Sequence, residues 1–372
     1  MKTLVKITLL VPFLACNSVY SQNAFTYKNI PSDIKAKYII TDEQRAKTIA
    51  GIPNLYDLTK SLPDNFVKDG SVDYTDYLQK GIDANPNVIF PNFPVLVNVK
   101  GLTLKSNSNV VFAKNSKVIL QPTEKFDYQI IRMHNVRNTK LYYPVIVGDR
   151  DGHLSKGGEF GMGISIRGGG DDEVYNAYVS NCWGDGIFFS DLCKNITIYN
   201  PIVDNNRRNG ISVVFADGVK IYNMLSSNTN GTAPMAGIDI EPDHNYQTAD
   251  NILLESPITF NNANRGILIA MKNFYGPASK KVDVDINNPR DIGATYGIAF
   301  YLGNRKAGVA PLNGNIRITN PDWGASKKAP IYMDSEMDAN GINVQITNPK
   351  KGGIVRDDIK KMTTGTKNVQ IN

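Results

Sequence analysis

The sequence predicts an all-β protein, a single-stranded parallel β-helix closed at its N-terminal end by a capping helix. A phrase that begins with Gly-Ile occurs six times between residues 163 and 300, at intervals of 23, 24, 27, 29 and 31 residues. A second apolar phrase occurs six times between residues 196 and 346, and four of its copies lead into Asn-Pro. Both phrases alternate apolar and variable residues, which is the period of a strand with one buried face. The Gly, Asn and Pro residues at their ends predict turns.

Repeats of this length with two or three short strands and no helical pattern are typical of a parallel β-helix, a form of solenoid. A leucine-rich repeat would need a regular ladder of Leu and Asn, and a propeller blade would need about 40 residues or more. The intervals lengthen along the chain, so we expect loops inserted at one corner of the later coils. Insertions in a solenoid collect on one face, which is often the binding face.

Residues 1–21 have the pattern of a secretory signal peptide. Two lysines precede a short apolar run at residues 7–15, and small residues precede a cleavage position after Ser21. The run is too short to cross a bilayer, and no later stretch is apolar for long enough to do so. We therefore expect a protein secreted to the periplasm or the cell exterior. Lipid anchoring at Cys16 is the alternative, although Phe13 fits poorly three positions before that cysteine.

The charge balance argues against a nucleic-acid partner. The full chain carries 41 Lys and Arg against 35 Asp and Glu, a net charge of +6, which becomes +4 without residues 1–21. This mild excess tolerates a polyanionic substrate but forms no basic stripe of the kind that binds nucleic acid. The sequence leaves the oligomeric state open.

Two cysteines remain after removal of the signal peptide, and nothing in the pattern assigns them to chemistry. Cys182 and Cys193 lie in or beside strands of neighbouring coils, which favours buried thiols over a disulfide. The sequence has no Gly-rich phosphate loop after a strand, no Cys-His set and no nucleophile elbow. Nucleotide, haem and thiol chemistry therefore have no support.

Residues 22–70 form an N-terminal extension, and residues 71–372 form one β-helix domain. Thr41 could cap a short helix within the extension. Tyr74, Leu78 and Ile82 have helical spacing, and a helix there would cover the open end of the first coil. Solenoids need such caps, because an uncovered end exposes apolar interior and strand edges. Strands are then predicted at residues 88–90, 95–97, 102–104, 110–112 and 118–120.

Several phrases between residues 70 and 345 resemble one family. They include Asp73-Tyr-Thr-Asp-Tyr-Leu-Gln-Lys-Gly-Ile82, Ile89-Phe-Pro91, Leu102-Thr-Leu-Lys-Ser-Asn107, Ile146-Val-Gly-Asp-Arg-Asp-Gly-His153, Gly158-Glu-Phe-Gly-Met-Gly-Ile164, Cys182-Trp-Gly-Asp-Gly-Ile187, Asn206-Arg-Arg-Asn-Gly-Ile211 and Ala236-Gly-Ile-Asp-Ile-Glu-Pro242. These phrases are similar to those of the pectate-lyase-like superfamily of right-handed parallel β-helix proteins, which includes many phage tailspike depolymerases. The resemblance implies a right-handed coil and a carbohydrate polymer lying along its axis. It specifies the fold more than the reaction, because the superfamily includes hydrolases, lyases, epimerases and non-catalytic binders.

Asp239 and Glu241 are the leading candidates for catalysis. Ile238 and Ile240 should point into the core, which turns Asp239 and Glu241 outward on the same face. Two positions along a strand separate Cβ atoms by about 6.5–7 Å, close to the ~6.5–9.5 Å between the acid and base of an inverting glycosidase. The same row could hold Ca²⁺ through its carboxylate oxygens, although catalysis by this pair of carboxylates requires no cofactor. A solvated polar strand face is the remaining alternative.

Neighbouring coils should bring further charges to this row, because equivalent positions stack about 4.8 Å apart. Asp185 and Arg208 occupy matching corners one or two coils earlier and complete the expected catalytic set. Arg207 and Lys272 are expected to bind substrate, since cations orient sugar carboxylates or sulfates. An ion pair that only neutralises the wall is the alternative for either arginine. The same corners also carry Asp204 and Arg265.

Three further side chains are candidates for substrate contact. His153 lies in a loop rich in charge and glycine that also carries Asp149 and Glu159, and His can move a proton near neutral pH. A hydrogen-bonded loop histidine is the alternative. Trp183 could stack on a sugar ring, and His244 directly follows the acidic row. Further stacking candidates are Tyr246, Tyr275, Tyr296 and Tyr301, whereas His134 lies in an apolar stretch and is expected to be structural.

The sequence favours a secreted enzyme that degrades a polysaccharide, with hydrolysis ahead of β-elimination. Hydrolysis needs an acid and a base, which Asp239, Glu241 and Asp185 supply. A non-catalytic glycan-binding β-helix is a third class, but it predicts a groove rich in Asn, Ser and aromatic residues with few ionisable groups. The charged row argues against that class.

β-Elimination on a uronic acid needs a base and a cation that neutralises the sugar carboxylate. Arg207, Arg208, Lys272 or His153 could serve in these roles. The stacked acidic and basic corners are also partly similar to polygalacturonases. However, Gly186 follows Asp185 where that family has a second Asp, and its Gly-His-Gly phrase is missing. These departures argue against a pectin-specific assignment.

Overall fold

The computed structural model describes residues 25–303, 308–334, 341–350 and 368–371. Within these residues the strands form three parallel sheets, and successive coils of the chain contribute successive strands to each sheet. Every strand pair is parallel and joins one coil to the next, which is the pattern of a parallel β-helix. The signal peptide predicted at residues 1–21 lies outside the described residues.

Each sheet runs the length of the solenoid. Sheet A contains β1 (Tyr56–Asp57), β2 (Asn87–Phe90), β5 (Asn109–Phe112), β8 (Lys140–Tyr142), β11 (Glu173–Tyr175), β14 (Cys193–Tyr199), β17 (Ala216–Tyr222), β20 (Ala249–Glu255), β23 (Lys280–Asn287), β26 (Leu312–Thr319), β29 (Ile342–Thr347) and β30 (Val369–Ile371). Sheet B contains β3 (Pro94–Val97), β6 (Lys117–Leu120), β9 (Val145–Val147), β12 (Tyr178–Ser180), β15 (Ile202–Asp204), β18 (Leu225–Ser227), β21 (Ile258–Phe260), β24 (Arg290–Ile292) and β27 (Asp322–Ala325). Sheet C contains β4 (Leu102–Thr103), β7 (Asp127–His134), β10 (Phe160–Arg167), β13 (Ile187–Ser190), β16 (Ile211–Val213), β19 (Ala236–Ile240), β22 (Arg265–Ala270), β25 (Tyr296–Tyr301) and β28 (Ala329–Met333).

Helices occur near the N-terminal end of the described chain. They are α1 (Ser32–Lys35), α2 (Asp42–Ala50) and α3 (Thr75–Ala84), with 3₁₀ turns at Ala36–Tyr38, Leu58–Ser61 and Arg150–Gly152. Thr41 caps α2 through a reciprocal capping box with Gln44. In α3, Leu78 and Ile82 are buried against the first coil, which confirms the predicted capping helix.

The Gly-Ile phrases become a column of isoleucines in the core. These isoleucines pair in register between neighbouring strands of sheet C, and none is more than 2% exposed. They are Ile164, Ile187, Ile211, Ile238, Ile267 and Ile298. The Asn of each predicted Asn-Pro turn adopts a left-handed backbone, with φ of 51°, 52°, 53° and 49° at Asn200, Asn288, Asn320 and Asn348. Asn tolerates this conformation better than most residues, so the turns form where the sequence predicted them.

The glycine of each phrase is required by the close approach of the next coil. A Cβ atom at Gly186 would lie 2.7 Å from the carbonyl oxygen of Gly210, and one at Gly210 would lie 2.5 Å from that of Gly237. Real Cβ atoms do not come this close to a backbone oxygen, so any larger residue must push two coils apart. The recurrence of glycine is therefore a consequence of coil stacking.

We expect Gly186→Ala to lower the free energy of unfolding by about 1–3 kcal/mol, the usual cost of overpacking a tight interior. Urea denaturation followed by circular dichroism would measure the change. Gly157→Ala is the matched control, because a Cβ there meets nothing within 4 Å; its effect should stay within about 0.5 kcal/mol. Equal effects of the two substitutions would contradict the packing explanation.

The N-terminal extension lies along the outer face of sheet B. Ile34 and Tyr38 pack on Ile202 and neighbouring apolar residues of that sheet. The hydroxyl of Tyr27 donates to Oδ2 of Asp204 at 2.9 Å. Asp204 therefore anchors the extension and does not join the charged corner in which the sequence placed it. Its side chain leaves β15 on sheet B, whereas the acidic row leaves sheet C.

Both cysteines are free and buried, as the sequence favoured. Burial raises the pKa of the Cys193 thiol to about 12, because the thiolate would lose its hydration. A thiol that does not ionise near neutral pH is a poor nucleophile, so Cys193 acts as a packing residue.

Candidate active site

The strand β19 places Asp239 and Glu241 on the outer side of sheet C. Ile238 and Ile240 point into the core and are fully buried, as the alternation predicts. Asp239 is also buried, with only 1% of its surface exposed, whereas Glu241 is partly exposed. Asp239 and Glu241 therefore point away from the core, as predicted, but neighbouring side chains enclose Asp239. Alternation decides the side of the strand, but neighbouring side chains decide whether solvent reaches that side.

The carboxyl groups of Asp239 and Glu241 lie close enough for the charge of Glu241 to raise the pKa of Asp239. Oδ2 of Asp239 accepts a hydrogen bond from Nδ2 of Asn209 at 2.9 Å, while Oδ1 is buried and receives none from the described residues. Two neighbouring carboxylates disfavour the ionisation of both at once.

Burial raises the pKa of Asp239 well above its ordinary value, and the charge of Glu241 raises it further. Burial also raises the pKa of Glu241, although the charge of Arg208 acts in the opposite direction. Ionisation is therefore disfavoured at both groups, and most strongly at the fully buried Asp239. The pair combines a buried carboxyl group with one that reaches the surface.

Arg208 is the cation around which the acidic side chains gather. Its Nε donates to Oε2 of Glu159 at 3.0 Å, and its Nη1 donates to Oδ2 of Asp185 at 2.9 Å. Burial alone would lower the pKa of Arg208, but Asp185, Asp239 and the nearby glutamates raise it above its ordinary value. The guanidinium therefore stays charged and offsets several carboxylates in a region with little solvent.

Asp185 is enclosed beneath Arg208. Its residue is fully buried, and Oδ1 accepts a hydrogen bond from the backbone nitrogen of Asn209 at 3.0 Å. Burial raises the pKa of Asp185, while Arg208 lowers it. A carboxylate held on both oxygens in this way positions Arg208 and Asn209. It does not reach the surface, so the direct catalytic role expected from the sequence has no geometric support.

A cleft of about 380 Å³ opens beside this cluster. Its described lining consists of Arg208, Ala233, Pro234, Glu241, Arg265, Leu268, Ala270, Lys272 and Tyr301. Within this lining Glu241 is the single carboxylate, and it faces three cations. The residues come from four successive coils, which lie side by side only because the solenoid stacks them.

Arg265 and Lys272 are held in the cleft by specific partners. Nη2 of Arg265 donates to the hydroxyl of Tyr301 at 2.6 Å, and Nη1 donates to the carbonyl of Pro234 at 3.0 Å. Lys272 lies over the ring of Tyr301, 4.9 Å from its centroid, and its Nζ is 3.3 Å from Oδ2 of Asp334. Lys272 thus lines the cleft, and its role in substrate binding stays a prediction. The sequence noted Arg265 and Tyr301 separately but gave no signal that they form one unit, because 36 residues separate them.

His153, Trp183 and Arg207 form a stack of their own. The His153 ring lies 3.9 Å from the Trp183 ring at an interplanar angle of 18°, and the guanidinium of Arg207 lies 3.9 Å from the indole centroid. Nδ1 of His153 is 2.7 Å from Oδ2 of Asp149, and both side chains are fully buried. Their polar and aromatic groups contact one another and do not line the cleft. His153 is therefore a hydrogen-bonded loop histidine, which was the alternative to substrate contact.

This stack holds the loop that presents Glu159 to Arg208. Nε1 of Trp183 donates to the carbonyl of Gly157 at 2.9 Å, and Nη1 of Arg207 donates to the carbonyl of Gly158 at 2.7 Å. Trp183 and Arg207, which the sequence predicted to bind substrate, therefore hold this backbone segment through their hydrogen bonds. Glu159 itself keeps 41% of its side chain exposed.

The remaining histidines lie outside the cleft lining. His244 stacks on Tyr246, with ring centroids 5.2 Å apart, beyond the turn that follows Glu241. His134 is hydrogen-bonded to Ser165 at 3.0 Å, and burial with the nearby arginines lowers its pKa to about 4. A histidine that stays neutral in this way is structural, as the sequence indicated. Among the described residues, no group of three or more His, Cys, Asp or Glu side chains is arranged to hold a metal ion.

We expect Asp239→Asn to change the pH dependence of stability. The pKa of Asp239 is higher in the folded chain than in the unfolded one, so folding binds a proton and stability falls as pH rises above the unfolded value of about 3.9. Asparagine resembles the protonated acid and cannot ionise. The variant should therefore match the native chain near pH 4.5 and exceed it at pH 8 in urea-denaturation midpoint.

The exposed residue Asp64 provides the control for this measurement. Asp64→Asn should leave the difference between the two pH values unchanged. A larger loss of stability at pH 8 in the Asp239→Asn variant than in the native chain would contradict the raised pKa of Asp239.

Among curated proteins, a stretch of 201 residues is 26% identical to the uncharacterized protein YclG of Bacillus subtilis strain 168. The match includes 49% of this chain and spans about a third, 32%, of that relative's length. No protein-family model matches the chain.

Three solved structures are similar in fold. PfbA, a surface adhesin of Streptococcus pneumoniae, has a TM-score of 0.60 at 14% identity, with 80% of each chain covered. The tailspike protein gp49 of Acinetobacter baumannii bacteriophage Fri1, a capsular polysaccharide depolymerase, has a TM-score of 0.58 at 15% identity, with 86% of this chain and 62% of that one covered. The A-module of the Azotobacter vinelandii mannuronan C-5 epimerase AlgE6 has a TM-score of 0.52 at 15% identity, with 85% and 98% covered.

Identities this low concern the fold alone. The neighbours are parallel β-helix proteins of the pectate-lyase-like type, tailspikes among them, which the sequence resemblance had named. The chain therefore has the right-handed parallel β-helix fold predicted from its sequence.

Proposed function

We propose that this chain cleaves an acidic polysaccharide and that Glu241 accepts the proton in that reaction. The observation that carries the proposal is the make-up of the cleft, where Glu241 faces Arg208, Arg265 and Lys272. Arg208 is already paired with Asp185 and Glu159, and Lys272 is paired with Asp334. The guanidinium of Arg265, in contrast, donates to neutral oxygens of Pro234 and Tyr301. Its charge therefore favours a ligand that brings its own negative group. Arginine in particular binds carboxylates and sulfates through paired hydrogen bonds.

The structural neighbours support a carbohydrate polymer as the substrate. By their names, the tailspike is a capsular polysaccharide depolymerase and the AlgE6 module acts on mannuronan. The same comparison includes an adhesin, so the fold does not by itself imply cleavage. Enzymatic action rests on the ionisable residues of the cleft, which a purely adhesive groove does not need.

The cleft favours β-elimination, which the sequence had ranked second. Hydrolysis through Asp239 and Glu241 would need both carboxyl groups to reach substrate, and Asp239 is buried. Elimination needs one base and a cation next to it, which Glu241 and Arg265 or Lys272 provide. A buried Asp239 suits this chemistry, because Glu241 alone of the pair lines the cleft, where the charges of Arg208 and Arg265 favour its ionised form.

The reaction steps can be assigned to residues of the cleft. Arg265 or Lys272 binds the uronate carboxylate and stabilises the charge that develops beside it. Glu241 removes the proton from C5, a double bond forms between C4 and C5, and the bond from C4 to the bridging oxygen breaks. The bridging oxygen then takes a proton from Tyr301. Arg265 donates to the oxygen of that hydroxyl, so this contact does not use the proton of Tyr301.

Hydrolysis remains the second candidate because of Glu159. Glu159 and Glu241 are both partly exposed, and Arg208 lies close to each of them. Two carboxyl groups with a guanidinium near both could act as acid and base on opposite sides of a glycosidic bond. In that case Glu159, and not Asp239, would be the partner of Glu241.

To test the proposal, the purified chain is incubated with a panel of acidic and neutral polysaccharides. New reducing ends and the ultraviolet absorbance of unsaturated uronates are measured over time. For elimination, both signals should rise together on a uronic-acid polymer. Glu241→Gln should lower kcat about 10²–10⁴-fold, the usual contribution of a general base. Glu124→Gln, on an exposed loop, is the matched control and should retain activity.

Other outcomes would redirect or end the proposal. Reducing ends without absorbance, abolished by Glu159→Gln as well as by Glu241→Gln, would establish hydrolysis. Full activity of Glu241→Gln would remove Glu241 from the reaction. No cleavage across the panel, together with retained binding of acidic polymers, would favour the glycan-binding class.

We also propose that residues 1–21 are removed and that the chain is secreted without a lipid anchor. Among the described residues, no helix is long and apolar enough to cross a membrane. Expression with the native leader in a bacterial host, followed by intact mass analysis, should give a chain that starts at Gln22. Cys16→Ser should change neither the location of the chain nor the mass of the mature product. A diacylated chain that starts at Cys16 would contradict free secretion.

A further inference from the structure

Four tyrosines form a continuous stack on the outer face of sheet A. Tyr142, Tyr175, Tyr199 and Tyr222 occupy equivalent positions on four successive coils. Their ring centroids are 4.9, 5.0 and 5.2 Å apart, with interplanar angles of 8°, 15° and 12°. The spacing between coils therefore sets the spacing between rings. A flat ring added beyond either end of the stack would lie at about the same distance from the last tyrosine ring.

The two ends of the tyrosine stack differ. Beyond Tyr222, the equivalent position on the next coil is Glu255. Before Tyr142, the equivalent position is Val111, a buried residue whose short side chain cannot cover a tyrosine ring. Within the part of the chain that the structure describes, no aromatic ring stacks in parallel on this side of Tyr142. The face of Tyr142 that points away from Tyr175 therefore borders a space and not another aromatic ring.

That space is a pocket of about 420 Å³ between sheet A and the end of α2. Its lining consists of Lys47, Thr48, Gly51, Ile52, Pro53, Asn109, Lys140 and Tyr142. Lys140 is neutralised by Glu173, whose Oε2 lies 2.6 Å from its Nζ. Lys47 is exposed and forms no ion pair with a described residue. The pocket therefore combines one aromatic wall with one uncompensated cation.

These features fit the ring of an acidic sugar. A pyranose presents apolar C–H groups on its face, which pack on an aromatic ring, and polar groups at its edge. Ile52 and Pro53 supply further apolar contact, while Lys47 supplies a charge for a carboxylate. Pockets of this size with a few polar groups are typical of small-ligand sites.

We propose that this pocket binds an acidic pyranose, which stacks on Tyr142 as the next member of the tyrosine stack while Lys47 binds its carboxylate. The pocket adjoins sheet A, whereas the Glu241 cleft adjoins sheet C, so both can be occupied at once. Two sites for the same class of polymer on one chain strengthen attachment to it without any change in the chemistry. The binding rests on the pocket's own residues and does not depend on the proposed reaction.

The experiment titrates glucuronate, with glucose as the neutral comparison, into a chain that carries Arg265→Gln and Lys272→Gln. These two substitutions remove cleft cations, so that calorimetry or ligand-observed NMR reports on the pocket. Glucuronate should bind this parent chain more tightly than glucose. Adding Tyr142→Leu should weaken glucuronate binding about tenfold, in keeping with the contribution of one aromatic contact. Adding Lys47→Gln should weaken glucuronate but not glucose.

Tyr222→Leu is the matched control, because it removes a ring from the opposite end of the same stack. It should bind glucuronate as the parent does, and urea denaturation would confirm that both leucine variants are folded. Three results would overturn the proposal: no glucuronate binding to the parent, equal binding by the Tyr142→Leu variant, or equal loss in both leucine variants. None of these results depends on whether the chain cleaves polysaccharide, so a failure of the cleft proposal remains distinguishable.

Discussion

Parallel pairing of each coil with the next is the interaction on which this structure depends. It sets the distance between equivalent residues of neighbouring coils, and the stacked features of the chain repeat at that distance. The isoleucine column fills the interior at this spacing, and the tyrosine stack follows it on the outside of sheet A. The same pairing brings the backbone of neighbouring coils so close at Gly186 and Gly210 that only glycine fits. A solenoid of this kind can accept long insertions at its corners, because each coil needs contact only with its neighbours.

The cleft uses this spacing to collect charges that are far apart in the sequence. Arg208 from one coil is bonded to Asp185 from the preceding coil and lies beside Asp239 from the following one. Burying several ionisable groups costs free energy, which the direct hydrogen bonds to the guanidinium only partly offset. Such an arrangement is uncommon in a purely structural wall and is typical of functional sites. It places Glu241 at the surface, next to the buried Asp239 and the charge of Arg208.

Many of the conspicuous residues of this chain support the cleft and do not line it. Trp183 is the clearest example, because both faces of its indole are occupied by His153 and Arg207. An aromatic ring with two covered faces cannot stack on a sugar. Its role is to fix the loop that carries Glu159, and that loop in turn completes the environment of Arg208. In contrast, the ring of Tyr142 has one side open to a pocket, which makes a less conspicuous residue the better candidate for ligand contact.

The sequence by itself determined the fold, the capping helix, the turns and the two sides of each strand. These features follow from local periodicity and from Gly and Asn, whose backbone preferences act within a few residues. The sequence also indicated that the region from Asp185 to Lys272 would be charged. Only the tertiary structure decided which charges reach solvent, because burial depends on side chains contributed by other coils. Asp239 illustrates the difference: its position on the strand is a local property, whereas its enclosure by Arg208 and Asn209 is not.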